Sequence, residues 1–144
     1  MRVLVQRVSQ AAVDVGGERI GEIERGLLLF VGVFPNDGDA EVEWLAAKTL
    51  GLRVFPDGDK NMNLSVVDVQ GALLVVSQFT LAADTAKGMR PGFSRAASPA
   101  YAQTIYDQFV IRLGKDAPVA TGKFGADMQV SLVNDGPVTI LLER

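Results

Sequence analysis

Ala72-Leu73-Leu74-Val75-Val76-Ser77-Gln78-Phe79-Thr80-Leu81 is an apolar strand that ends abruptly in polar residues. Its first five side chains are apolar without interruption, the pattern of a strand buried on both faces. Two hydroxyls and an amide follow at once, then Asp84, Lys87 and Arg90 within a Gly- and Pro-bearing stretch, Lys87-Gly88-Met89-Arg90-Pro91-Gly92-Phe93. A rigid sheet aims whatever leaves its strand ends, so this polar mouth is the first candidate site. The chain has no His and no Cys. Any catalysis here proceeds without an imidazole base or a thiolate.

The 144 residues suit one domain, 1–144, large enough to bury roughly 68–70% of the unfolded chain's surface. Fourteen basic against seventeen acidic residues give a net charge of -3. That balance argues against broad electrostatic coating of nucleic acid, while leaving room for a local basic patch. Without Cys there is no disulfide framework. Met1-Arg2-Val3-Leu4-Val5-Gln6-Arg7 is charged early and lacks the apolar region of a signal peptide. The longest apolar run, Gly26–Phe34, is far short of a bilayer span. The expected location is the cytoplasm, with no membrane partner.

Outward from the opening stretch, strands are expected at Arg2–Val8, at Ala11–Val15 and Glu18–Ile23 around a Gly16-Gly17 turn, and at Leu27–Val33. Asp39 reads as the N-cap of a helix over Ala40–Leu50 whose apolar face is Val42, Leu45, Ala46, Thr49 and Leu50. Leu52–Phe55 reads as a short strand, and Trp44 and most Phe residues as core. Ser98-Pro99 opens a second helix with Tyr101, Ile105, Phe109 and Leu113 along one side and Gly114 as its stop. Asp127–Asn134 alternates, Asn134-Asp135-Gly136-Pro137 interrupts it, and Val138–Glu143 is the last strand. Seven or eight strands against two helices, often hairpin-linked, do not make a βαβ alternation. They predict an α+β protein: a curved, largely antiparallel or mixed sheet, or a barrel, with two flanking helices.

Each chemical constellation has a plainer reading beside it. Ser77, Gln78 and Thr80 could simply end a strand; alternatively, a splayed strand end offers the backbone N–H groups of Phe79 and Thr80 to a developing oxyanion. A hydroxyl nucleophile would need a base, and only a Lys, a carboxylate or the substrate is available. Lys87, Arg90 and Arg95 fit either a solvated loop or a contact to nucleic-acid phosphate. Asn134–Pro137 fits a hairpin turn, with a cis Gly136–Pro137 bond as the rarer alternative. Asp57-Gly58-Asp59-Lys60-Asn61 lacks the further ligands of a calcium loop. Gly16-Gly17 and Gly32 lack the spacing of a dinucleotide fingerprint. Neither metal nor cofactor is expected.

Ser77-Gln78-Phe79-Thr80-Leu81 with Ala83-Asp84, Lys87-Gly88 and Arg90-Pro91, together with Asn134-Asp135-Gly136-Pro137-Val138-Thr139, resembles the D-aminoacyl-tRNA deacylase family. Val5-Gln6-Arg7-Val8-Ser9 and Phe124-Gly125-Ala126-Asp127-Met128-Gln129-Val130 match it too, so the resemblance runs nearly end to end. It implies a cytoplasmic homodimer that hydrolyses the ester between a D-amino acid and the terminal adenosine of tRNA, and also removes glycine mischarged onto tRNA for alanine. It implies a curved sheet or barrel with flanking helices, shared with an editing domain of archaeal threonyl-tRNA synthetases. By the same resemblance Ser77, Gln78, Phe79 and Thr80 line the reaction centre. Gly136 and Pro137 form a cis dipeptide that reaches into the other subunit's pocket as a chirality gate, and Lys87 and Arg90 contact the RNA. The expected partner is the 3′ end of aminoacyl-tRNA, with no DNA. Two alternatives stay open: a non-catalytic module that binds RNA ends, and a small-molecule esterase.

Overall fold

A computed structural model describes every residue from Met1 to Arg144. Gly16 and Gly17 take φ of 59° and 85°, the positive values that a tight two-residue hairpin turn needs at both central positions. The turn folds β2 (Glu18–Ile23) back on β1 (Arg2–Val15). Arg2–Val8 and Ala11–Val15 are thus one strand, with Ser9 and Gln10 exposed where its pairing slips. After Glu24-Arg25 the chain continues as β3 (Gly26–Gly32), antiparallel to the first half of β1.

From β3 onward the connections change character. Helix α1 (Asp39–Gly51) carries the chain over to β4 (Ala72–Ser77), which pairs with β3 in parallel. Helix α2 (Pro99–Leu113) carries it to the short β5 (Val119–Thr121), parallel to β4. The expected absence of βαβ alternation therefore holds only for the first part of the chain. Parallel strands cannot be joined by a tight turn, so two helical crossovers are required. The last strand, β6 (Gln129–Glu143), lies antiparallel along the other edge of β1. The sheet is mixed and strongly curved: an added Cβ on Gly21 of β2 would lie 2.5 Å from the Thr121 carbonyl of β5, so its two ends nearly meet. The expected sheet class and the two helices are both present.

Alternate residues of β3 and β4 serve two apolar layers. Leu27, Leu29, Val31, Leu73 and Val75 face the helices, where Val42, Leu45, Ile105, Phe109 and Leu113 cover them. Leu28, Leu74 and Val76 face the concave side with Val13, Ile23 and, at the margin, Met128, Val130 and Leu132. Both central strands are buried on both sides, which is why they are apolar throughout.

The helix faces match expectation, but some boundaries do not. Val42, Leu45, Ala46, Thr49 and Leu50 are all buried. The N-cap of α1 is Gly38 rather than Asp39: Glu41 reaches back to accept the Gly38 N–H at 2.9 Å, and that bond holds its carboxyl below the usual range. Trp44 lies on the outer face of α1 under the Arg144 guanidinium, not in the core. Leu52–Phe55 yields only an isolated bridge, Phe55 to Leu64.

Gly26 is where β3 comes closest to its parallel neighbour, for an added Cβ would stand 1.8 Å from the Ala72 carbonyl. Gly26→Ala is expected to lower stability in urea unfolding by about 3 kcal/mol or more, since backbone must move. Gly51→Ala at the end of α1, with nothing within 4 Å, should gain about 0.5–1 kcal/mol.

Candidate active site

The β3–β4 ladder ends at Gln78, whose N–H donates to the Val31 carbonyl at 2.7 Å. The chain then turns into a four-residue 3-10 helix, Phe79–Ala82. Its first amides have no preceding turn to donate to, and the N–H groups of Phe79 and Thr80 have no acceptor in the chain. Two adjacent, unspent donors therefore stand at the mouth of a rigid strand.

A cavity of about 460 Å³ opens beside them. Val31, Val33 and Val76 form its floor; Ser77, Gln78 and Phe79 form the β4 side; Ala96, Ala97 and the segment Phe124–Val130 supply the remaining walls. Phe79 is 56% exposed and meets Phe93 edge-on, with ring centroids 5.0 Å apart. A second concavity of about 490 Å³ lies over β1, β2 and β6. Its Arg19 is already bonded to Asp14 and Glu22, and its lining is more polar and lies along strand sides rather than at a strand end, so the β4 mouth is the better chemical candidate.

Thr80 does not line the cavity. Its hydroxyl oxygen accepts a hydrogen bond from Gln78 Nε2 at 2.5 Å. An amide donor occupies a lone pair and takes no proton, so it makes the hydroxyl a poorer nucleophile. Arg2 fixes the far end of the 3-10 turn by donating from Nη1 to the Leu81 carbonyl at 2.7 Å. Its Nε and Nη2 meet Glu143 Oε2 and Oε1 at 3.0 and 3.2 Å, which holds that carboxyl below its ordinary pKa.

Lys87 and Arg90 are exposed on the loop closed by reciprocal Asp84–Gly92 backbone bonds of 2.8 and 2.9 Å. They make no ion pair and lie outside the cavity wall. The loop leads directly into Phe93 and so borders the mouth.

Gly136–Pro137 is a cis peptide. Rather than sitting in a hairpin turn between two strands, it lies in a bulge of a single strand: β1 pairs Val8 with Asn134 and Gln6 with Thr139, leaving the intervening β6 residues looped outward. Asn134 staples the loop by accepting the Val138 N–H at 2.7 Å and donating to the Val138 carbonyl at 3.2 Å. Buried Arg7 props it from beneath, donating through Nε to the Asp135 carbonyl at 2.6 Å and through Nη1 to the Val54 carbonyl. Arg7 pairs with Leu27 across the ladder, whereas the mouth lies beyond Val31. At about 3.3 Å per residue that puts the bulge roughly 13 Å back along β3, and neither Gly136 nor Pro137 lines the cavity of its own chain.

Residues 4–143 match the family described as D-Tyr-tRNA(Tyr) deacylase. The chain belongs to that family. Proteins named D-aminoacyl-tRNA deacylase from Saccharophagus degradans and Haemophilus influenzae are 57% and 56% identical, each over 99% of both chains. A solved structure described as "c-Myc DNA Unwinding Element Binding Protein" has a TM-score of 0.95 at 43% identity, covering 100% of this chain and 99% of that one. Another, described as a probable eukaryotic D-amino acid tRNA deacylase, shares the fold with a TM-score of 0.82 at 18% identity over 98% and 97% of the two chains.

Sequence reasoning gave no role to Arg7, Arg2 or Phe93. For Arg7 a signal existed: it continues the inward alternation Val3, Val5 as a charged residue, a combination that requires a buried polar partner. Arg7→Met should cost about 1–3 kcal/mol in denaturant unfolding by leaving the Asp135 and Val54 carbonyls unpaired. The same variant should speed hydrogen exchange at the Val138 amide.

Proposed function

We propose that the cavity at the β4 mouth binds the terminal adenosine of tRNA carrying a D-amino acid, and that the main chain there promotes hydrolysis of the ester. The observation that carries this reading is the pair of unspent amides at Phe79 and Thr80 beside an apolar cavity, in a chain without His or Cys. Water adds to the ester carbonyl, the resulting oxyanion accepts from those amides, and collapse expels the ribose oxygen, which takes the proton. The products are the free D-amino acid and tRNA. One oxyanion donor is worth about 2.7–4 kcal/mol. The neighbouring ribose hydroxyl assists the water, in a chain that has no imidazole to do so.

Chirality is a steric matter in this scheme. Gly136–Pro137 of a second copy enters the cavity and crowds the position an L side chain would need, which is discrimination by repulsion. Its distance from the mouth of its own chain supports a cross-subunit role. So does β6, which pairs on one edge only and exposes Val133 and Leu141 at 47% and 51%; an open edge of this length calls for a partner. Glycine, having no side chain, passes the gate, which extends the substrate range to glycine mischarged on tRNA for alanine. Lys87 and Arg90 contact the RNA backbone near the 3′ end. A single strand common to all tRNAs needs few base contacts, in keeping with a net charge of -3; the same charge disfavours DNA. No helix is long and apolar enough to cross a membrane. We take residues 1–144 as one domain acting in the cytoplasm, where charged tRNA is used.

The purified protein is expected to release D-tyrosine from D-tyrosyl-tRNA and to leave L-tyrosyl-tRNA intact; equal rates on both would overturn the reading. Thr80→Ala should keep more than about a tenth of kcat, because the oxyanion donors stay with the main chain. A fall to the uncatalysed rate would make the Thr80 hydroxyl the nucleophile.

A further inference from the structure

Arg95 sits on a short turn between two parts of the candidate site. Phe93, two residues before it, meets Phe79 edge-on, and Ala96 and Ala97, just after it, form part of the cavity wall. Two hydrogen bonds fix the turn: Ala96 N–H to the Phe93 carbonyl at 3.0 Å, and Ala97 N–H to the Val33 carbonyl at 3.0 Å. The Arg95 guanidinium lies 5.9 Å from the centre of the Phe34 ring, and Arg2 lies 5.2 Å from the same ring. The ring therefore holds two cations beside the mouth.

The two cations differ in what they have left to offer. Arg2 is tied down on three sides: Nε and Nη2 to the two oxygens of Glu143 and Nη1 to the Leu81 carbonyl. Both oxygens of Glu143 bond to Arg2; Arg95 lies near enough to help keep that carboxyl ionised, but forms no direct ion pair with it or with any other carboxylate. Two guanidiniums and one carboxylate leave a local charge of one positive unit at the rim. Unlike Lys87 and Arg90, which project from the loop without a stacking partner, Arg95 is preoriented by an aromatic face. A planar guanidinium with its fork free suits a phosphate, to which it donates two parallel bonds.

We propose that Arg95, stacked on Phe34 and making no direct ion pair, grips the phosphate on the 5′ side of the terminal adenosine of tRNA. This rests on the reading of the cavity as the adenosine site: with the nucleoside inside, its 5′ phosphate emerges at the rim, where Arg95 stands. Arg95 is thus a substrate-binding residue for the RNA portion and takes no part in the ester chemistry.

The test compares two substrates that share the reacting ester. One is D-tyrosyl-tRNA; the other is the D-tyrosyl ester of adenosine, which has no phosphate. For Arg95→Ala the ratio of kcat/KM on tRNA to that on the adenosine ester should fall about tenfold, through KM rather than kcat. Arg95→Lys should recover part of that loss, since charge remains but the fork does not. The dependence of log KM on log salt should weaken by about 0.7, the contribution of one phosphate contact on a single strand. Equal losses on both substrates would overturn the proposal by showing that Arg95 only supports the wall, and so would an unaltered KM for tRNA. Inactivity of the unaltered protein on both esters would instead overturn the deacylase reading, and this inference with it.

Discussion

Parallel pairing of β3 with β4, and of β4 with β5, is the constraint from which the rest of the architecture follows. Strands running the same way cannot be joined by hairpins, and right-handed crossovers from adjacent strands put both helices on one side. The helices then bury one face of β3 and β4, and the curl of β1, β2 and β6 buries the other. Because β3, β4 and β5 all end at the same edge, the segments leaving them converge there. Val31 and Val33, Val76–Phe79, and residues of Phe124–Val130 meet around one cavity for this reason, although they are far apart in sequence.

At that edge the main chain presents the donors on which the proposed chemistry rests. A 3-10 turn starting directly off a buried strand leaves its first amides without acceptors, and the stiffness of the strand fixes their direction. Fixed dipoles need no reorganisation when charge develops in the reacting group. The proposed main-chain donors need neither imidazole nor thiol: aminoacyl esters are already activated, so the scheme asks only for positioning and dipoles.

The arginines of β1 act mostly as props. Arg2 clamps the 3-10 turn to the last strand through Glu143, and Arg7 and Asn134 hold the bulge of β6 in shape. With those cations committed, the ones still able to meet an anionic ligand are few and local, as expected of a protein that carries net negative charge yet handles RNA. The free edge of β6 and the outward bulge beside it leave a single chain with unfinished surface on that side.

Much was legible from the chain alone. Ala72–Ser77 stood out because a strand buried on both faces must be apolar throughout, and the buried face of α1 followed from its 3.6-residue period. The Gly16-Gly17 turn followed from the positive φ that only such residues tolerate freely. The polar residues after β4 marked the site, and the long motifs marked the family. The sequence could not show that Asn134–Pro137 is a bulge within one strand, since strand continuity depends on the neighbour β1. It could not reveal β5, three residues whose strand state comes only from pairing with β4. Nor could it sort the cations: Arg2, Arg7 and Arg95 look alike in sequence, and only their three-dimensional neighbours decide which are spent and which stay free. Local composition sets what each segment can become, whereas the occupancy of each donor and acceptor is a property of the packed whole.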